Sequence, residues 1–70
     1  MMKVTEMKQG VLNNQVLVSV FSDTKDEVES TAVEDIVGMP SGKDIEPGST
    51  VITADADLAF MKSDGNWNWI

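Results

Sequence analysis

Val16, Val18 and Val20 alternate with Leu17, Ser19 and Phe21 in the stretch NNQVLVSVFSD. Period-two alternation of β-branched residues, bounded by Asn13-Asn14 and Ser22-Asp23, predicts a strand over 15–21. One face of that strand is all valine and the other is mixed, which places it inside a sheet. Upstream, residues 1–10 are polar, with Val4 and Met7 as the burial candidates beyond the start. Residues 1–13 therefore read as an N-terminal arm or short strand, and 14–70 as a single small β domain.

Downstream the period changes. Val28, Ala32 and Ile36 recur every four residues with Val33 and Val37 beside them, a helical stripe. Thr24-x-x-Glu27 and Thr31-x-x-Glu34 each fit a capping box. Gly38 stands where a helix would stop, and Pro40 prevents continuation. The spacing predicts a short helix or helical turn within 25–37. The stretch GMPSGKDIEPGS then reads as an ordered loop with Ile45 as an apolar peg.

From residue 49 onward a three-stranded meander is expected. Val51 and Thr53 share one face of its first strand, with Ile52 on the other. Asp55-Ala56-Asp57 makes a tight turn. Leu58 and Phe60 then oppose Ala59 and Met61. Asp64-Gly65 predicts a type I′ hairpin, which requires positive φ at both central positions. Trp67 and Trp69 share a face of the closing strand, opposite Asn68 and Ile70. The fold class is thus mainly β: this C-terminal meander, one further strand and a short helix or helical turn.

Composition adds a constraint of size. A chain of 70 residues buries a low fraction of its surface, and proteins this small usually lean on disulfides, a metal or a partner. With no Cys and no His, disulfides are excluded and a structural zinc is disfavoured. Association, with its own copies or with another protein, is the route left open. There are twelve acidic residues against five lysines and no Arg, for a net charge of −7. Such a chain repels a phosphate backbone, so no nucleic-acid partner is expected. No apolar run approaches a membrane span, and no membrane partner is expected either.

Catalysis needs a nucleophile, a base or a metal in defined geometry. The absence of His, Cys, Arg and Tyr leaves no catalytic constellation, so no enzyme activity and no cofactor are expected. Asp55-x-Asp57 suits a hard cation by chemistry but lacks the EF-hand spacing, and a turn explains it better. Pro40-Ser-Gly and Pro47-Gly-Ser do not form a phosphate loop. Glu27, Glu29, Glu34 and Asp35 cluster around the proposed helix. They read as a solvated face or, alternatively, as a mimic of the DNA backbone.

The C-terminal half, GMPSGKDIEPGSTVITADADLAFMKSDGNWNWI, resembles small virion proteins of tailed phages, of the capsid-decoration and head-fibre type. The likeness lies in the Gly- and Pro-rich loop, Pro47-Gly48-Ser49, the strand and Thr-Ala-Asp, Leu-Ala-Phe-Met, the Asp-Gly turn and the terminal Trp. It implies a non-enzymatic structural protein on the capsid surface of the virion, made in the host cytoplasm. That protein would bind the major capsid protein, another virion protein or its own copies, a trimer being one such assembly. The alternative is a small acidic phage inhibitor acting as a DNA mimic on a host protein. Phe60, Trp67, Trp69 and Ile70 are the expected interface residues, because large apolar side chains dominate interface energetics. For the two Trp, burial in the core is an equal expectation.

Overall fold

In the computed structural model, which describes residues 1–70, the chain forms β1 (Lys3–Gln9), β2 (Gln15–Ser22), α1 (Lys25–Ser30), β3 (Asp44–Ile45), β4 (Thr50–Thr53), β5 (Leu58–Met61) and β6 (Trp67–Trp69). A 3₁₀ turn lies at Val33–Asp35. The six strands make one mixed sheet in the order β1-β2-β4-β5-β6, with β3 also beside β2. The fold is mainly β, as the alternation indicates.

Strand β2 is the axis of the sheet. Val16, Val18, Val20 and Ser22 are buried while the residues between them are partly exposed. That pattern requires a cover on one face only. The segment between β2 and β3 supplies it. Val28 from α1 and Ile36 beyond the 3₁₀ turn are buried against Val20, Val51, Ala59 and Met61, with Val33 and Met39 packed alongside. Burial of these side chains is the main stabilising term in a chain this small.

The structure settles or corrects four expectations. Residues 1–10 take the strand alternative: β1 pairs antiparallel with β2, with an irregularity between Val4 and Glu6. The buried residue of the segment is Met2, just before the strand, at 2% exposure, while Met7 stays 47% exposed. Second, the helical stripe does not make one helix. Val28 and Ile36 are both buried, but the helix stops at Ser30. The reason lies in the hydroxyls. Thr31 Oγ1 donates to the Glu27 carbonyl at 2.6 Å and Ser30 Oγ to the Asp26 carbonyl at 2.8 Å. Such bonds compete with helix propagation. Third, Thr31 is a C-cap rather than the start of a capping box. Thr24 is the N-cap, its hydroxyl accepting from the Glu27 N–H at 3.1 Å.

The fourth correction concerns the Asp64-Gly65 turn. Of its residues only Gly65 has positive φ, at 82°. A type I′ turn is therefore excluded. Instead Gly65 N–H donates to the Lys62 carbonyl and Lys62 N–H to the Asn66 carbonyl. The preceding hairpin repeats this arrangement: Ala56 N–H donates to the Thr53 carbonyl, and Thr53 N–H to that of Asp57. Both are three-residue loops closed by a left-handed residue, the second commonest hairpin design.

The expected loop at 38–48 also holds a feature that alternation could not signal. Strands β3 and β4 both run parallel to β2, end to end. Between them the chain leaves the ladder after the Glu46 N–H, which donates to the Val16 carbonyl at 2.9 Å, and the Ser49 hydroxyl accepts the Val18 N–H at 3.0 Å. Ser49 is 1% exposed, so this side chain takes the place of a missing backbone acceptor. At the start of the loop, Gly38 has φ of 95°, and a Cβ there would stand 3.2 Å from the Val4 Cβ. Glycine lets the crossover return close against β1.

Candidate interaction face

Cross-strand partners point to the same side of a sheet. On the uncovered side, Lys3, Phe21, Ile52 and Leu58 are successive partners across β1, β2, β4 and β5. Ile70 extends the row, its N–H donating to the Leu58 carbonyl at 2.9 Å. A second row runs Glu6, Ser19, Thr50, Phe60, Asn68. Leu17, opposite Lys8, lies beyond it. The centre of the open face is thus a band of large apolar side chains. Ile52 is 46% exposed, Leu58 39% and Ile70 83%.

The charge on this face differs from that of the whole chain. Lys3 and Lys8 lie on its β1 margin. Lys62 stands over the Phe60 ring at 5.7 Å from the centroid, a cation–π contact. Three of the five lysines therefore border the apolar band, balanced by Glu6 in the second row, Asp44 as the partner of Gln15, and Glu46 next in register beside Leu17. The exposed carboxylates of Asp26, Glu29, Glu34 and Asp35 belong to the helical layer on the other side.

The four sequence-derived interface residues divide between the two sides. Phe60 and Ile70 are on the open face. Trp67 pairs with the buried Met61 and Trp69 with the buried Ala59, so both indoles lie on the covered side, where they pack half-buried against the core. Trp69 Nε1–H donates to Glu29 Oε1 at 2.7 Å, and Lys25 Nζ lies 5.1 Å from its ring centroid. These contacts tie the last strand to α1. Sequence reasoning missed Phe21, Ile52 and Leu58 as a continuous band. Their alternation was legible, but the strand order that aligns them was not.

Other candidate chemistry is tied up in structure. Asp55 and Asp57 flank the left-handed Ala56 in the first hairpin, and Asp57 lies 3.7 Å from Lys25 Nζ. Glu27 accepts from Ser22 Oγ at 2.6 Å and from the Asp23 N–H at 3.1 Å. It also lies 2.7 Å from the Met1 amine, which pairs with Asp23 as well. The hydrogen bond from that amine is the largest cause of a Glu27 pKa lowered to about 2, followed by those from Ser22 and Asp23. The amine itself is held above its ordinary value, first by Asp23 and then by Glu27. Glu27 thus fastens the N-terminus to the first turn of α1. Comparison with known protein families, with characterised proteins and with solved structures finds no match for this chain.

Proposed function

We propose that this chain is a non-enzymatic structural protein of a phage particle, a decoration or fibre-base subunit attached to the capsid shell or to further copies of itself. The observation that carries the reading is the open face. Ile52, Leu58 and Ile70 are exposed in one row with Phe21, although the chain is small and has few large apolar side chains. A contiguous band of this kind, bordered by polar residues, marks an interaction surface. Its centre is apolar and its margin charged, the usual anatomy of a protein–protein contact. The resemblance of the Gly38–Ile70 stretch to small virion proteins supplies the kind of partner.

Mass spectrometry of purified particles from the source of this sequence tests the proposal. The chain is expected among the virion proteins at a copy number comparable to that of the shell subunits or fibres. Its absence from purified particles, with the protein present in infected cells, overturns the structural role.

A further inference from the structure

Strand β1 is an edge of the sheet, and part of that edge is open. The Val16 carbonyl accepts from Glu46, and the Val18 N–H donates to Ser49 Oγ, so both residues turn their backbone groups away from β1. Opposed residues of an antiparallel pair exchange both bonds or neither. Gln9 and Met7 oppose Val16 and Val18, so their N–H and C=O groups point out of the sheet. At the other end the same edge is closed: Val4 N–H donates to the Val37 carbonyl at 2.8 Å, and Val37 N–H donates to that of Met2. The open part, residues 5–9, reads Thr-Glu-Met-Lys-Gln. Opposite charges flank Met7 at its centre, and neither Glu6 nor Lys8 forms an ion pair within the chain.

From this we infer that two copies of the chain pair antiparallel through this edge, about a two-fold axis at Met7. In that register Met7 opposes the partner's Met7, and Glu6 opposes the partner's Lys8 on both sides of the axis. The two Met7 residues exchange both backbone bonds. Glu6 and Lys8 then fall in the closer, non-bonded pairs, where opposite charges attract across strands. Registers centred on Glu6 or on Lys8 would set like charges against each other. A charged edge repels most added strands. This one is its own complement, so the charges that exclude other strands admit a second copy.

The two ends fit as well. The paired strand of one copy stops at Gln9, opposite Thr5, one residue short of the Val4–Val37 bond. The irregularity between Val4 and Glu6 falls at the same limit. Beyond it the β1–β2 loop of one copy, with Val11 and Leu12 exposed, comes beside the exposed Val37 of the other. The contact thereby draws on Met7, Val11, Leu12 and Val37, none of which belongs to the open face's apolar rows. Opposed side chains share a face, so the axis is normal to the sheet and the two open faces lie side by side. The pairing uses a different surface from the role proposed above and stands whether or not the chain belongs to a virion.

Five residues a side at ~3.4 Å rise give about 17 Å of paired strand, at the small end of specific contacts. Sedimentation equilibrium across roughly 10 µM to 1 mM, the range appropriate to such a contact, provides the test, together with amide hydrogen exchange. The wild-type mass should rise and level at two copies, and the Met7 amide should become protected as it does. E6K and K8E each turn two attractive pairs into two repulsive ones, and each should weaken the dimer by roughly tenfold or more. The double variant E6K/K8E exchanges the charges, restores the complement and should dimerise like the wild type. An equal mixture of E6K and K8E should pair as well. Should a single reversal lose its fold by circular dichroism, the wild-type amide exchange decides alone. A monomer at every concentration overturns the inference. So does association that E6K and K8E leave unchanged, or one in which the Met7 amide exchanges as fast as in the monomer.

Discussion

Ser49 shows how much one hydroxyl decides in a domain of this size. Strand β2 needs an acceptor for the Val18 N–H at the point where β3 has ended and β4 has not begun, and Ser49 Oγ provides it. Ser49→Ala removes that acceptor and leaves a buried donor unpaired, at a cost of about 1–3 kcal/mol. Chemical denaturation checks this, and Ser49→Thr, which keeps the hydroxyl, should lose less. Glu27 gives a prediction in pH. Its folded pKa is lowered from 4.5 to about 2, mainly through the hydrogen bond from the Met1 amine. A depressed carboxylate stabilises the fold fully above its unfolded value, and that contribution disappears as pH falls through the folded value. Stability should therefore decline between about pH 4.5 and 2 in the wild-type chain. Glu27→Gln should be less stable at neutral pH and show a shallower decline over that window in acid titrations followed by circular dichroism.

At the scale of elements, the two hairpins of the meander use one loop design with different residues at the left-handed position. The second has Gly65 there, whereas the first has Ala56 at φ of 67°. A Cβ is disfavoured in that region, so Ala56→Gly should stabilise the protein by about 0.5–1 kcal/mol, net of the added unfolded-chain entropy. A rise in thermal midpoint would check it, and a fall would mean that the loop is not held in this conformation. The same elements show what a reader of the residues can recover. The valine alternation of β2 and the three strands of the meander were legible, because side-chain period follows directly from strand geometry. A short helix or helical turn within 25–37 was legible too, but the four-residue stripe of Val28 and Ile36 hides the break between α1 and the 3₁₀ turn. The hydroxyls of Ser30 and Thr31 make that break. The parallel pairing of β3 and β4 with β2 depends on long-range register, which local pattern does not encode. For the same reason Phe60 and Ile70 were anticipated at the interface, while Phe21, Ile52 and Leu58, brought beside them only by strand order, were not. Met2 was set aside as part of the start, before any side-chain period points inward.

Taken whole, the molecule is a sheet with one face covered. The segment from α1 to Met39 buries Val16, Val18, Val20, Val51, Ala59 and Met61, and both indoles are used in closing that side. This leaves the other side with apolar side chains that nothing in the chain covers. Layered folds bury the apolar faces of their elements, so the uncovered band is the feature that points beyond the single chain.

The central claim is that the Phe21–Ile52–Leu58–Ile70 row serves binding rather than folding. It is tested most directly by the double variant I52T/L58T, which keeps β-branched or strand-compatible residues while removing the exposed apolar surface. Thermal stability and particle incorporation would be measured on the same protein. Stability is expected to stay within about 1 kcal/mol of wild type, as for exposed positions away from the core, while the copy number on purified particles falls to background. A variant that incorporates like the wild type, or one that fails to fold because the row is needed internally, would contradict the account.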